Sequence, residues 1–451
     1  MKVCKFGGSS LADGKNYEHA VNIIKSDPER RVIVTSAPGK RHNGDIKVTD
    51  LLIKYANAIL AGQDGQTIVD EIFARYQAIG AYFGVLEKDV EEIKEILLAL
   101  PKKDYPSADY LMAAFKAHGE RLNARLMAIV LNHLGIKARF VDAKEAGIVV
   151  TGRPDDATVA AETYDNLARI KLRDDERLIF PGFFGYTPAG NIATFARGGS
   201  DITGAILARG LHADVYENFT DVDAIFAANP AIVKDPAPIK TMTFREMREL
   251  SSAGFSVLQN EALLPAIQGN VKINVKNTAH PDLPGTMVVS ENGFHPTSTI
   301  TGIAGGPNFA ALYLHKYLQN KEVGSTLRIL NILKRHNLRY EHMPSGIDDV
   351  TIIFNKDELQ GDVVDQVCNE IQAEIQPDRL EFYGNYALLE VVGEGMAEKP
   401  GVSAAILSAL AKENIYVPMI NKGASKISIM LGINKKDFNK AVQVVYQRFF
   451  K

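Results

Sequence analysis

The 451-residue sequence contains no tryptophan and only two cysteines, Cys4 and Cys368. Two thiols so far apart exclude a disulfide framework and point to a reducing compartment. Its ten histidines form no HExxH or Cys-x-x-Cys cluster, so no structural metal site is expected. No stretch approaches the roughly 18 apolar residues of a membrane-spanning helix. The opening MKVCKFGG reaches glycine before the apolar core of a secretory leader is complete. An excess of one charge is also missing. The 51 Lys and Arg face 54 Asp and Glu, a net charge of −3, which gives no electrostatic reason for a nucleic-acid partner or a polybasic membrane contact. These absences together describe a cytoplasmic protein.

What remains is an ordinary globular composition, 46% hydrophobic and 23% charged, with enough apolar material for a large core. At roughly 150 residues per domain the length predicts two to four domains. Up to about residue 290, short apolar runs alternate with helical patterns. VCKF, RVIVTSA, ARFVDA, RLIFPGFFG, ADVYENFT and INVKN read as strands. The stretch Asn16 to Lys25, DVEEIKEILLAL, YLMAAFKAHGERLNARLMAIVLNHLG and DITGAILARGL read as helices, most with apolar residues at i, i+3 and i+4. Such alternation favours a sheet with helices packed on it.

After a junction rich in Pro, Gly, Ser and Thr, FHPTSTITGIAGGPN, the tail repeats itself. A shift of 77 positions places Leu312 on Leu389, Gly324 on Gly401, Leu330 on Leu407, Leu333 on Leu410, Asn337 on Asn414, Gly346 on Gly423 and Ile352 on Ile429. Each copy reads as strand, glycine turn, helix, strand, turn, strand. The predicted boundaries are a domain over 1–295 and modules over 300–375 and 376–451, whose last segment can fold back on the first.

Four stretches carry chemistry. KFGGSS (Lys5 to Ser10) follows the first strand directly. Its glycines let backbone N–H groups approach an anion, its serines can cap a following helix, and Lys5 adds a full charge. Taken alone it is equally a plain strand-to-helix turn. FARGGSDITGAILA again sets two glycines and a serine before a helix, flanked by Arg197 and Asp201. Arg197 can hold a carboxylate as a fork, or the two charges can form a surface pair. ENFTDVDAIFAANP ends a strand in Thr220 and Asp221, where ligands sit in open α/β sheets, although both Asp221 and Asp223 also suit a turn. Glu120, in KAHGERLNARL, has Arg121 and Arg125 beside it and can belong to a surface ion pair. SAPGKR, Ser36 to Arg41, is either a phosphate loop or a solvated turn.

KFGGSS, GFFG at Gly182 to Gly185, RGGSD at Arg197 to Asp201, FTDVDAIF followed by NP, and MTFREMRELSSAGFSVLQNEALLPAI come in one order. In that order and spacing the chain resembles an aspartate kinase over essentially its whole length. The resemblance implies a three-layer α/β/α amino-acid-kinase sandwich followed by two α+β, ferredoxin-like ACT modules. The implied reaction passes the γ-phosphoryl of MgATP to the side-chain carboxylate of L-aspartate, giving 4-phospho-L-aspartate, with no prosthetic group. By the same resemblance Lys5 and Asp201 are the catalytic residues, with Lys5 neutralising the transferred phosphoryl group. Lys5, Gly7, Gly8, Ser9, Thr220, Asp221, Phe226, Ser256 and Val257 would serve ATP. Thr49, Glu120, Phe183, Arg197, Gly198, Gly199, Ser200 and Asp201 would hold aspartate, with Arg197 on its α-carboxylate.

The implied ACT modules would bind an amino-acid effector, most simply lysine, near Val323, Gly324, Ser325, Thr326, Tyr340 and Glu341. They would also join a homodimer or a dimer of dimers. No fused homoserine dehydrogenase is expected. The chain departs from the family pattern at Ser256, where a lysine is common, at Ala231 after Asn229-Pro230, and at Asp223-Ala224. All three lie on the nucleotide side. Competing readings are a kinase for another acidic substrate, such as glutamate, and a non-catalytic amino-acid sensor with a decayed kinase domain.

Overall fold

A computed structural model describes all of the chain except Arg197, Ser256, Val257, Gln259 and Ala424, and the side chain of Asn260. It divides into two compact units. The first comprises Met1–Ile225, Pro238–Arg248 and Ser256–Phe294; the second comprises Phe226–Ala237, Glu249–Phe255 and His295–Lys451.

The strands of the first unit are β1 (Lys2–Phe6), β2 (Arg30–Thr35), β3 (Ala138–Phe140), β4 (Val150–Arg153), β5 (Asp156–Val159), β6 (Arg177–Pro181), β7 (Phe184–Tyr186), β8 (Ile192–Thr194), β9 (Val215–Thr220), β10 (Thr241–Thr243), β11 (Lys272–Asn277) and β12 (Thr286–Val289). Its helices are α1 (Gly14–Ser26), α2 (Val48–Leu60), α3 (Gln66–Tyr82), α4 (Glu87–Ala99), α5 (Ala108–His133), α6 (Glu162–Ala168), α7 (Gly199–Gly210) and α9 (Asn260–Gly269), with the first half of α8 (Phe244–Ser252), whose residues from Glu249 on group with the second unit. Every strand and helix named from sequence is present.

Eight strands form one sheet in the order β10-β12-β11-β9-β1-β2-β6-β3. All neighbours are parallel except β11 and β12. Strand alternation in the centre of this sheet has a functional consequence. Cys4, Phe6 and Phe219 enter one core with the buried residues of α1 to α5, where the Phe6 and Phe219 rings stack with centroids 5.0 Å apart. Lys5 and Asn218 are paired in register between β1 and β9, and alternation turns them to the opposite face.

The start of α1 corrects one expectation. The serines of KFGGSS do not cap it. Ser9–Leu11 form a short 3-10 turn with no side-chain cap, and α1 is capped by Asp13, whose carboxylate accepts from Asn16 N at 2.9 Å. Asp13 has the extended backbone a capping residue needs. Ser10 is instead buried, its hydroxyl 2.7 Å from that of Thr278. In MTFREM, Thr243 and Glu246 form a reciprocal capping box for α8.

The second unit is built on β13 (Gly302–His315), β14 (Asp349–Asn355), β15 (Arg379–Val392), β16 (Met419–Asn421) and β17 (Ser428–Asn434). They form an antiparallel sheet in the order β14-β13-β15-β17-β16. Helices α10 (Ser325–Arg335), α11 (Val363–Glu374), α12 (Val402–Lys412) and α13 (Phe438–Phe450) complete it. The repeat is visible in the backbone. Gly324 and Gly401 cap their helices at φ of 82° and 83°, and Asn337 and Asn414 follow those helices at φ of 50° and 56°. Glycine and asparagine are the residues that tolerate this left-handed region. The sequence pattern missed the second helix of each copy, α11 and α13. Both copies share one sheet: the first part of β13, Gly302 to Gly306, pairs with the later part of β15, beside the second copy's strands.

Candidate active site

The parallel strands β1, β2 and β9 run side by side, and Lys5 with the glycine turn after it lies where β1 ends. Lys5 is only 8% exposed, and a buried ammonium needs a partner. Asp201, in the first turn of α7, supplies it at 2.5 Å. Asn218 fixes the pair, donating to Asp201 Oδ1 at 3.1 Å and lying 3.5 Å from Lys5 Nζ. Tyr216 OH donates to the Asp201 carbonyl at 3.2 Å. Asp201 is therefore bound to the lysine of the first glycine turn, while Arg197 lies outside the described residues. Gly7 donates its N–H to Phe219 O at 3.3 Å, and Gly8 packs backbone to backbone on Gly39, whose N–H donates to Gly8 O at 2.8 Å.

The second glycine turn is shaped by close approach. A Cβ on Gly199 would lie 2.5 Å from Phe183 Cδ2, and one on Gly182 would lie 2.5 Å from Ser200 Oγ. Phe183 has φ of 81°, an unusual conformation for a bulky residue. It is held by Thr203 Oγ1, which accepts its N–H at 2.9 Å, and by Phe195 N, which donates to its carbonyl at 2.8 Å. Gly198, at φ of 76°, is the N-cap of α7, so this helix start presents free backbone N–H groups. Ser200 is buried within it.

Glu120 is not part of a surface pair. It is 6% exposed in the middle of α5, and its Oε2 has no hydrogen-bond partner. Arg121 and Arg125 turn away to Asp142 and Glu92, at 2.7 and 2.8 Å. Burial pushes the Glu120 carboxyl up to about 8, opposed by hydrogen bonds from the backbone of Ala37 and of Glu120 itself. Such a buried, raised carboxyl with an unused acceptor is a candidate functional group. Thr49, in the first turn of α2, comes close where Gly119 leaves space: its Oγ1 would be 3.8 Å from a Cβ there.

Thr220 ends β9, its hydroxyl donating to Asp221 at 3.1 Å and its carbonyl accepting Thr278 N at 2.9 Å. Asp223 accepts from Asn277 Nδ2 at 2.6 Å and lies 2.7 Å from His280 Nδ1. This departure from the family pattern thus has its own partners. Phe226 is half-buried and falls in Phe226–Ala237, which groups with the second unit. Ser256 and Val257 lie outside the described residues.

Among the effector candidates, Val323 is fully exposed, Thr326, Tyr340 and Glu341 are exposed, and Ser325 is buried with an unpartnered hydroxyl. Tyr340 and Glu341 lie outside any strand. Glu341 N donates to Ile353 O at 2.8 Å, and isolated bridges at His342 and Ser345 continue the pairing with β14. Among the described residues no cluster of His, Cys, Asp and Glu could hold a metal ion, and no helix is long and apolar enough to cross a membrane.

The site therefore has a buried charge pair at one glycine turn, a second glycine turn beside it and an unsatisfied buried carboxyl. That is the layout of a two-ligand kinase. The family model of the amino acid kinase family matches residues 1–277, and that of the ACT domain matches residues 389–449. Aspartokinase 3 of Bacillus subtilis is 43% identical over 450 residues, covering all of this chain and 99% of the relative. The crystal structure of Clostridium acetobutylicum aspartate kinase matches with a TM-score of 0.90 at 37% identity, covering all of both chains. E. coli aspartokinase III, solved with aspartate and ADP, matches with a TM-score of 0.78 at 25% identity, again over all of both chains. The chain belongs to the amino acid kinase family, and within it to the aspartokinases.

Proposed function

We propose that the protein is an ATP-dependent aspartate kinase, transferring the γ-phosphoryl of MgATP to the side-chain carboxylate of L-aspartate and releasing 4-phospho-L-aspartate and ADP. The observation that carries this reading is the Lys5–Asp201 pair at the end of β1, with the unsatisfied Glu120 carboxyl at the end of neighbouring β2, where Thr35 Oγ1 donates to Glu120 O at 3.5 Å.

The acceptor carboxylate is already ionised at neutral pH, so the protein supplies no general base. Its work is alignment and charge neutralisation. Lys5, steered by Asp201 and Asn218, stands against the charge on the transferred phosphoryl group. The backbone of Gly7, Gly8 and Ser9 lines the phosphate path, and Thr220, Asp221, Phe226, Ser256 and Val257 serve the nucleotide. Glu120 and Thr49 take the aspartate ammonium. Phe183, Arg197 and the helix start from Gly198 to Asp201 hold the rest of the amino acid, with Arg197 on the α-carboxylate.

The product opens the route to lysine, threonine, methionine and isoleucine, and the compartment is the cytoplasm. The kinase domain spans 1–295, with ACT modules over 300–375 and 376–451. These modules bind lysine as a feedback inhibitor near Val323 to Thr326 and Tyr340 to Glu341. The similarity to E. coli aspartokinase III, solved with lysine and aspartate, supports that choice. A homodimer or a dimer of dimers forms through the same modules. Its apolar contact surface includes the exposed Phe382, Tyr383, Tyr416 and Ile420, which line a cavity of about 1110 Å³ on the second unit.

The test is to incubate the protein with MgATP and a panel of amino acids and trap acyl phosphate with hydroxylamine. Product with aspartate alone is expected. Product with glutamate instead, or with no acid, refutes the assignment. Repeating the assay with lysine, threonine and both identifies the effector, and changing Glu341 should relieve inhibition. Unaltered inhibition there and at Gly324 would move the effector site elsewhere.

A further inference from the structure

The loop between β2 and α2, SAPGKRHNGDIK, carries an arrangement that the phosphoryl-transfer chemistry does not require. Its tip, from Lys40 to Gly44, is exposed, yet its two ends are tied to one buried side chain. Arg75, on α3 and 5% exposed, donates from Nη2 to Gly39 O at 2.7 Å and from Nη1 to Ile46 O at 3.0 Å. Its Nη1 also lies 3.3 Å from Asp45 Oδ2. Arg41 grips the same carboxylate at 2.9 Å. Hydrogen bonding from Arg41, with the Arg75 charge behind it, holds the Asp45 carboxyl well below the usual range. A planar guanidinium with a fixed fork of donors can bridge two carbonyls in this way; an ammonium cannot reproduce the geometry.

The fastened loop touches both ligand sites. At Gly39 it packs on Gly8: a Cβ on Gly39 would stand 2.7 Å from the carbonyl carbon and oxygen of Gly8, and one on Gly8 would stand 2.9 Å from Ala37 O. At Ala37 it packs on α5, where a Cβ on Gly119 would stand 2.7 Å from Ala37 Cβ and the Ala37 backbone acts to lower the neighbouring Glu120 carboxyl, and Pro38 O accepts the N–H of Val48 at 3.2 Å, next to Thr49. Burying an arginine is costly unless its donors are used. Here three of its contacts go to one loop, on the residues that flank the two contact points.

We infer that Arg75 is a positioning residue: it fastens the loop over residues 39–46 so that the Ala37 backbone stays on Glu120 and Gly39 stays on the phosphate turn. This inference rests on the reading of Glu120 as the contact for the aspartate ammonium. The groups that face Glu120 are few. Tyr76 on α3 has a phenol held far above its ordinary range by burial. His118, on the same helix, is lowered to about 3 by burial, so neither titrates near neutral pH. Arg121 is occupied by Asp142. Among the described residues, α2 brings the uncharged Thr49 close to the neighbouring Gly119, β2 brings Thr35 Oγ1 to the Glu120 carbonyl, and the loop brings the Ala37 backbone. The Ala37 backbone is thus the loop contact that favours the ionised form of Glu120, and loosening the loop raises that carboxyl further.

The experiment measures KM for aspartate from pH 6 to 9 in the parent protein and in Arg75→Lys, Arg75→Gln and Asp45→Asn, with melting temperatures alongside. In the parent, KM should fall as pH rises through the Glu120 midpoint. In Arg75→Lys and Arg75→Gln the midpoint should move up by about half a pH unit or more, raising KM below it about threefold. Asp45→Asn, which leaves Arg75 in place but frees the loop tip, should move it in the same direction by less. A folded Arg75 variant that keeps the parent's midpoint overturns the inference. If both Arg75 variants melt at markedly lower temperature, Asp45→Asn decides, and an unshifted midpoint there overturns it as well. A parent whose KM does not depend on pH refutes the role of Glu120 instead, which separates the two failures.

Discussion

The state of Glu120 before substrate arrives sets a measurable cost. Burial holds its carboxyl at about 8, so at pH 7 roughly one molecule in ten carries it ionised. An aspartate ammonium needs the anion. Binding therefore expels a proton at neutral pH, and the substrate pays about 1.4 kcal/mol for one pH unit below the midpoint. The sign follows from the direction of the shift: raising the pH supplies the ionised form and tightens binding until the midpoint is passed. KM for aspartate should be about tenfold above its plateau at pH 7 and about a hundredfold above it at pH 6, with KM for ATP nearly constant. ADP release measured across this range is the assay. Glu120→Gln should raise KM for aspartate at every pH and remove the slope. A KM that stays flat from pH 6 to 9 in the parent, or a slope that survives in Glu120→Gln, would refute the argument.

Other outcomes follow from the same geometry. Lys5→Ala removes the buried charge aimed at the phosphoryl group and should lower kcat by about 10²–10³-fold while leaving lysine binding intact; near-parental turnover would contradict the role given to Lys5. Gly199→Ala places a methyl 2.5 Å from Phe183 Cδ2 and should cost about 1–3 kcal/mol of stability, with a higher KM for aspartate. Calorimetry and initial rates check both, and a neutral variant would show that the turn yields freely.

In the second unit, burial and the neighbouring Glu249 push Glu390 up to about 8. The unfolded carboxyl ionises near 4.5, so folding retains a proton between these values and stability declines as pH rises through about 8. Glu390→Gln should therefore raise the melting temperature at pH 9 much more than at pH 5. Equal shifts at the two pH values would exclude this account.

How far the sequence could be read depends on the range of the interactions. The strands and helices were legible because the periods of two and 3.6 residues are local. The repeat was legible because its special backbone positions demand particular residues, as Gly324, Gly401, Asn337 and Asn414 show. The glycine turns were legible as turns because only glycine allows the close approaches seen at Gly8 and Gly199. The serines of KFGGSS misled, since Asp13, three residues further on, had the better capping geometry and Ser10 was taken by Thr278. Glu120 was ambiguous for a clear reason: i, i+4 spacing cannot tell a surface carboxylate from a buried one.

The sequence by itself determined most of the elements, though not α11 and α13, the repeat in the tail, and a lysine and an aspartate beside separate glycine turns. Only tertiary structure decided that Lys5 and Asp201 meet, because their contact depends on the register between β1 and β9 and on the helix start that brings Asp201 over that face. It likewise decided that Glu120 is desolvated and that Arg75 serves the loop at both of its ends. Pairing and burial are properties of distant segments brought together, and no local pattern encodes them.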